Sequence, residues 1–386
     1  MKSHFIKLAS SAAFSFVLAS SAFAGIDDRL DTLEKDMQEV SARNPQDTLG
    51  ASFVTSRPEV KGNNWFLTLD ITYWHTKMGG TEYAYSLQPN FSGNVLLPQI
   101  NGDMKENDFG WDVGVKVGLG YKTPHDAWDI YARYTYFNSD DTSSSSKAEP
   151  SALVSLTNFA LLFANKVKSH VEIDYDNVDL ELARSYFYSQ YLAFRPHFDL
   201  KTTWIDIDQD VQITASSING GTRPVNTDGL DFKTKDDCRF WGLGPRVGID
   251  SKWFLGYGFH IFGDLAGSVQ YGYFKTEARE FVPPSALPFI PDGQVLKMKH
   301  KFHRFIPSVQ MFLGLGYDTY LNDEKQHLGF KLGYEVQYYW RVNQITKGDE
   351  FTFNVGQNQI QTRLAFEKAS EDLMFYGITG EVRLDF

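Results

Sequence analysis

Histidine and aspartate lie four residues apart at His260 and Asp264, a pair whose chemistry could support hydrolysis. A histidine beside an acid can activate water or a nucleophile. On an extended strand the two side chains share a face, but four residues span about 13 Å, too far for a direct hydrogen bond without a cross-strand partner. No serine-bearing motif accompanies them. The pattern therefore predicts polar groups on one strand face, and we expect no enzymatic activity.

Metal-binding patterns are weak in this sequence. His300 and His303 are three residues apart, so on a strand they face opposite sides and do not share an ion. Residues 140–146 are rich in serine and acid but lack the ordered ligand spacing of a calcium loop. We expect neither a metal nor another cofactor.

Composition narrows the class of protein. The chain carries 37 basic and 48 acidic residues, and a negatively charged surface argues against nucleic acid as a partner. Cys238 is the only cysteine, so an intramolecular disulfide is excluded. Aromatic residues make up 15% of the chain and glycines number 31, a mixture that suits closely packed strands with aromatic girdles.

The N-terminal region predicts export. Residues 1–24 combine a basic start, an apolar run and a small-x-small ending, the pattern of a cleavable signal peptide. Removing Lys2 and Lys7 leaves 35 basic residues against 48 acidic residues, a net charge of −13. Residues 25–45 carry apolar side chains at the a/d spacing of a short coiled-coil helix, and 46–63 form a polar linker. The helix could be a solvated periplasmic element or contribute to a homotrimer.

From residue 64 to residue 386 the dominant pattern is alternation with period two. Leu67, Leu69 and Ile71 fall on one face, opposite Thr68 and Asp70. No stretch beyond residue 25 has the 18 or more consecutive apolar residues of a membrane-spanning helix. The alternating segments are longer than ordinary globular strands and reach the length of tilted membrane strands. We therefore predict an all-β, antiparallel, up-and-down transmembrane β-barrel located in the bacterial outer membrane.

The number and connection of strands follow from the same pattern. Ten strands are predicted, near residues 64–76, 108–121, 127–138, 170–186, 190–213, 238–252, 256–276, 299–319, 327–343 and 373–386. Short connections alternate with long polar ones, which is typical of an outer-membrane barrel with periplasmic turns and external loops. Twelve strands are the alternative, with additions near 81–87 and 351–354. The apolar segment 151–166 is unusual for a loop and could fold inward or lie on the membrane.

Charged side chains fall on the faces opposite the apolar ones, so they are predicted to face the barrel lumen. On the lipid face each would cost about 2–4 kcal/mol at mid-depth. They could line a water-filled, ion-selective passage, or pair across a closed interior and fill it. The predicted inward set is Lys116, Asp129, Arg133, Arg246, Asp250, Asp264, Arg304, Lys331, Glu335, Glu381, Arg383 and Asp385.

The last strand ends on an aromatic residue. One face carries Tyr376, Ile378, Gly380, Val382, Leu384 and Phe386. This apolar face with a terminal phenylalanine resembles the point at which the barrel assembly machinery engages its substrates.

Several blocks resemble the Legionella-type major outer membrane protein family, pore-forming proteins of Legionella relatives and environmental chlamydiae. They are WFLTLDITYW from Trp65, VDLELARSYF from Val178, LAFRPHFDLKTTWI from Leu192, FWGLGPRVGIDSKWFLGYGFHIFGDLAGSVQYG from Phe240 and LMFYGITGEVRLDF from Leu373. The resemblance covers most of residues 60–386 and implies a porin-like β-barrel, without catalytic residues.

Together these patterns predict an outer-membrane channel for passive diffusion of small hydrophilic solutes or ions. The alternative is a non-conducting structural or adhesive barrel that acts through its long external loops. Expected partners are outer-membrane lipid, the barrel assembly machinery, and small solutes or ions, and the protein is either a monomer or a homotrimer.

Overall fold

The computed structural model describes residues 63–92, 95–99, 102–123, 128–148, 151–156, 163–189, 191–216, 229–283, 293–322, 325–354, 360–368 and 370–386. The predictions for the signal peptide, the amphipathic helix and most of the linker lie outside these residues. No helix in the described part has the length and hydropathy to cross a membrane.

Strands account for nearly all of the described chain. In chain order they are β1 (Trp65–Met78), β2 (Ala84–Ser92), β3 (Val95–Gln99), β4 (Met104–Lys105), β5 (Trp111–Lys122), β6 (Trp128–Ser146), β7 (Ala152–Ser155), β8 (Phe163–Arg184), β9 (Tyr186–Ser189), β10 (Leu192–Ala215), β11 (Asp231–Gly256), β12 (Phe259–Val282), β13 (Gly293–Leu321), β14 (Gln326–Asn343), β15 (Thr346–Asn354), β16 (Ile360–Lys368) and β17 (Glu371–Asp385).

Ten of these strands close into an antiparallel barrel. The ring runs β1, β5, β6, β8, β10, β11, β12, β13, β14 and β17, and β17 pairs with β1 to complete it. At this seam the Phe386 amide donates to the Trp65 carbonyl at 2.9 Å, and the Trp65 amide donates to the Phe386 carbonyl at 3.2 Å. Closure gives both edge strands a partner, which is what lipid requires of a sheet. The prediction of a ten-strand barrel is confirmed.

The segments that suggested twelve strands are extended but lie outside the ring. β2 pairs with β3, β4 and β7, and β15 pairs with β16 in a separate two-stranded sheet. They are additions at the long-loop end of the barrel.

Alternation places apolar residues outside. Ile71, Val113 and Leu332 are 61%, 66% and 63% exposed, as expected for side chains that meet lipid rather than a protein core. On the inner face of β5 glycines make room for large neighbours: a Cβ on Gly120 would lie 2.0 Å from the Phe66 ring. The barrel thus carries its apolar surface outward and its bulky and polar groups inward.

Aromatic side chains mark both borders of the apolar surface. On the outer face of β11, Trp253 lies near the short-turn end and Trp241 near the other, both about half exposed. Trp241 and Trp253 are twelve positions apart, which corresponds to about 40 Å of strand, or about 28 Å of height at a tilt of about 45°. This matches the lipid-facing band of an outer-membrane barrel, whose short turns face the periplasm.

Candidate functional site in the barrel interior

The structure places the predicted charged residues on the inner faces of the barrel strands. Five of the twelve are buried and seven are half-buried, and they contact groups of opposite charge or polar side chains. This placement holds for Lys116, Asp129, Arg133, Arg246, Asp250, Asp264, Arg304, Lys331, Glu335, Glu381, Arg383 and Asp385.

Glu335 on β14 is the centre of one interior network. Lys116 Nζ from β5 donates to both carboxylate oxygens at 2.6 Å. Thr379 Oγ1 and Gln310 Nε2 each donate at 2.8 Å. Glu335 is fully buried, so these donors replace the water that a carboxylate otherwise requires. The Lys116 ammonium also lies 4.9 Å from the Trp74 ring centroid.

A second network lies on β6, β8, β10 and β11. Arg195 contacts three acids at once: Asp129 at 2.5 Å, Asp250 at 2.7 Å, and Glu181. Arg246 contacts Asp199 and donates to Gln310 Oε1 at 3.0 Å. Gln310 therefore links this network to the one around Glu335.

Three groups in this second network could hold a cation by chemistry alone. The ligand-type atoms of Glu181, His197 and Asp199 lie within 4.8 Å of one another. Arg195 contacts Glu181, and Arg246 contacts Asp199. These two guanidinium groups supply the positive charge that a metal would bring, so the cluster fits an internal ion network better than a metal site.

Histidines and acids form a third network near the short-turn end. His260 lies 3.1 Å from Asp318 Oδ2, and His327 bridges Asp318 at 3.1 Å to Asp385 at 2.8 Å. Asp264 instead lies 3.5 Å from Lys331 Nζ. The sequence pair His260 and Asp264 is thus separated in the fold, each with a cross-strand partner.

Arg304 lies apart from these networks, near the long-loop end. Its Nη1 donates to Ser370 Oγ at 2.9 Å. Arg304 therefore lies closer to the long-loop end of the barrel than most of the other inward charges do.

An aromatic layer lies across the lumen above the charged networks. We call Trp74, Phe137, Tyr175, Tyr339 and Phe375 the aromatic plug; each is at most 1% exposed. They project from β1, β6, β8, β14 and β17, and the ring centroids of Phe137 and Phe375 are 5.1 Å apart. Tyr175 Oη lies 2.8 Å from Tyr339 Oη. Five strands thus meet in a single contact layer.

The opposite wall completes this layer. Ile205, Phe240, Phe274 and Ile306 on β10 to β13 are at most 2% exposed and belong to the same buried cluster as the plug. The cluster includes residues from nine of the ten barrel strands. At this level the interior is filled by apolar side chains.

Sequence reasoning did not identify the aromatic plug. Trp74 and Phe137 lie on the same strand faces as Asp70 and Thr135, so alternation predicts that they face inward. An aromatic residue on an otherwise polar face does not by itself indicate that it packs against others in the lumen. Their meeting point depends on strand pairing: Trp74 lies opposite Gly377, and Phe137 opposite Tyr175.

Part of the apolar segment 151–166 folds inward. Leu153 on β7 is fully buried and packs in a second apolar cluster with Tyr83, Val167 and Ile213. β7 also pairs with β8 through Leu153 and Val154. The described part of this segment therefore covers the long-loop end of the interior.

Comparison with known proteins gives one family. The model of the family described as the Legionella pneumophila major outer membrane protein precursor matches residues 57–386. Among curated proteins none matches the chain.

Solved structures give distant likenesses. Outer membrane protease OmpT from Escherichia coli is 9% identical, with a TM-score of 0.41, over 87% of this chain and 98% of that one. The toluene transporter TodX of Pseudomonas putida is 10% identical, with a TM-score of 0.28, over 86% of this chain and 95% of that one. The translocator domain of autotransporter NalP from Neisseria meningitidis is 10% identical, with a TM-score of 0.29, over 93% of this chain and 97% of that one.

Proposed function

Since the chain belongs to the family of the Legionella pneumophila major outer membrane protein precursor and is an outer-membrane barrel, we propose that it is a structural barrel whose lumen is closed at rest. The observation that carries this proposal is the aromatic plug. Five large side chains from five strands are at most 1% exposed at one level of the interior. A water-filled passage would leave such side chains in contact with solvent.

The size of the barrel supports the same conclusion. The interior of an eight-stranded barrel is just wide enough for side chains to fill, and ten strands enlarge it only modestly. Trp74, Phe137 and Tyr175 supply the bulk that this larger interior requires. Long external loops then offer the surface through which such a barrel acts.

A porin-like channel for small hydrophilic solutes or ions is the second candidate. It is favoured by the charged networks below the plug, which combine both signs of charge in the lumen. Buried ion pairs contribute little net stability, so a closed barrel with an apolar interior would not need these charged networks in order to be stable. Conduction would require the plug side chains to move.

We assign no catalytic role to His260. This histidine lies within contact distance of Asp318 and is fully buried, so it has no access to a substrate in the described conformation. The barrel assembly machinery as a partner and a homotrimeric state remain predictions.

Conductance of refolded protein in planar bilayers tests the proposal. We expect folded barrels, identified by heat-dependent gel mobility, to give no stepwise openings at moderate voltage. Regular openings whose number follows the amount of folded protein would overturn the closed barrel in favour of the channel. Heat-unfolded protein serves as the control for leakage that is unrelated to the fold.

A further inference from the structure

The outer face of β10 to β13 changes character beyond the lipid-facing band. Trp204, Trp241 and Tyr271 are 41%, 44% and 52% exposed and mark the upper border. Such aromatic girdles lie at the level where acyl chains give way to headgroups. Beyond this border the outward positions of the same strands are mostly charged. The first charged positions therefore lie at the headgroup level of the outer leaflet.

Three cations occupy one row at this level. Arg239 on β11 pairs in register with Lys275 on β12, and Lys275 pairs with Lys301 on β13. We call these three residues the cation rung. It directly follows the row of Trp241, Tyr273 and His303. Like charges placed opposite one another across strands are destabilising unless an anion lies between them.

The nearest acids of the next row are engaged by other cations. Glu277 contacts Lys297 at 3.3 Å and Lys299 at 3.2 Å. Asp237 contacts Arg279 at 2.5 Å. Within the described chain, Lys275 and Lys301 form no ion pair.

The β10 side of the rung is acidic. Asp206 lies opposite Arg239 in register, whereas Lys275 has only cations, Arg239 and Lys301, as its register neighbours. Asp208 lies one row higher, opposite Asp237. The basic sector is therefore confined to β11 to β13.

We propose that the cation rung binds the phosphate of a phosphorylated lipid in the outer leaflet. Lysine and arginine at the membrane surface attract anionic headgroups, and both are common phosphate ligands. Below the rung the outer face is apolar, with Leu243 and Phe305 40% and 65% exposed, so acyl chains of the same lipid have a surface to lie on. This inference does not depend on whether the lumen conducts.

Binding of diphosphoryl lipid A tests the proposal. Refolded protein in excess detergent micelles is mixed with this lipid, and the lipid molecules that remain bound to the protein are counted by native mass spectrometry. Wild-type protein should retain it, and K275Q/K301Q should bind it about tenfold more weakly, since each lysine near an anionic surface contributes several-fold. K275R/K301R should bind as wild type does.

The matched control is K166Q/K168Q. These lysines lie on the outer face of β8, so the variant loses the same charge outside the basic sector. It should bind like wild type. An equal loss of lipid A binding in both double variants would show that only overall charge matters and would overturn the proposed site. Unchanged binding by K275Q/K301Q would also overturn it.

Two further arms identify the source of the phosphate. Inorganic phosphate should fail to displace the lipid, and dephosphorylated lipid A should not be retained. Displacement by inorganic phosphate would overturn the lipid assignment, because it would show a bare phosphate site. If the double variant does not refold, the single variants K275Q and K301Q should each weaken binding by a smaller factor, and unchanged binding in both would contradict the proposal.

Discussion

At the scale of single residues, the interior depends on complete pairing of buried charges. Glu335 accepts hydrogen bonds from Lys116, Thr379 and Gln310 in a site without solvent. Desolvating an ion pair costs roughly what the attraction returns, so the pair itself adds little stability. Removing one member is different, because the remaining charge has neither water nor a counterion.

The variant K116M should therefore destabilise the barrel by about 3–5 kcal/mol, since it leaves Glu335 buried and unpaired. Urea unfolding of refolded protein in detergent micelles measures this free energy. The double variant K116M/E335L removes both charges and should recover most of the loss. A single variant as stable as wild type would show that Glu335 is not held as a buried carboxylate.

At the residue scale, sequence alone predicted which side chains face inward but not their partners. Lys116 and Glu335 are 219 positions apart, and no local pattern links them. His260 and Asp264 illustrate the reverse, because residues close in sequence find separate partners. Facing direction is a local property of a strand, whereas pairing depends on which strands become neighbours.

At the scale of elements, each barrel strand divides its residues between lipid and interior. β13 carries Met311 midway between Phe305 and Tyr317 on its lipid face and Leu321 at its short-turn end; Met311 and Leu321 are 46% and 45% exposed. The two positions share a strand and a face, and differ in depth. The free-energy cost of a charged side chain on the lipid face depends on its depth in the bilayer.

The variant M311R should cost about 2–4 kcal/mol in vesicles, because it places a guanidinium at mid-depth in lipid. L321R should cost about 0–1 kcal/mol, since its side chain reaches the interface. Unfolding of both variants in lipid vesicles measures the difference. Equal costs at the two positions would contradict the depth assignment of β13.

Strand lengths were the least accurate prediction at this scale. β11 extends from Asp231 to Gly256, whereas alternation suggested 238–252. Beyond Trp241 the outward residues become charged, so the apolar half of the pattern disappears although the strand continues. The charged part of β11 stays a strand because it is hydrogen-bonded to β10 and β12. The residues of β11 alone do not reveal this pairing.

At the scale of the whole molecule, closure of the ring brings side chains from distant strands into one layer. Trp74 and Phe375 lie near the seam of β1 and β17, and their ring centroids are 6.0 Å apart. Phe137 lies 5.3 Å from Trp74. The plug exists only because the first and last strands pair.

The variant W74A/F375A should convert a silent barrel into a conducting one, because it removes two large side chains from the filled layer. Single-channel recording in planar bilayers is the measurement, with heat-dependent gel mobility as the check of folding. W241A, which removes a tryptophan from the outer face, should remain silent. A folded W74A/F375A barrel without openings would place the barrier elsewhere in the interior.

The sequence by itself determined the class of protein, the ten strands and the direction of most side chains. These features follow from alternation with period two, which any segment of a strand displays without its neighbours. Only the tertiary structure decided that Glu335 meets Lys116, that the aromatic plug fills the lumen and that Arg239, Lys275 and Lys301 form a row. The physical reason is that such contacts depend on the register between strands and on ring closure, and both are set by the whole sheet.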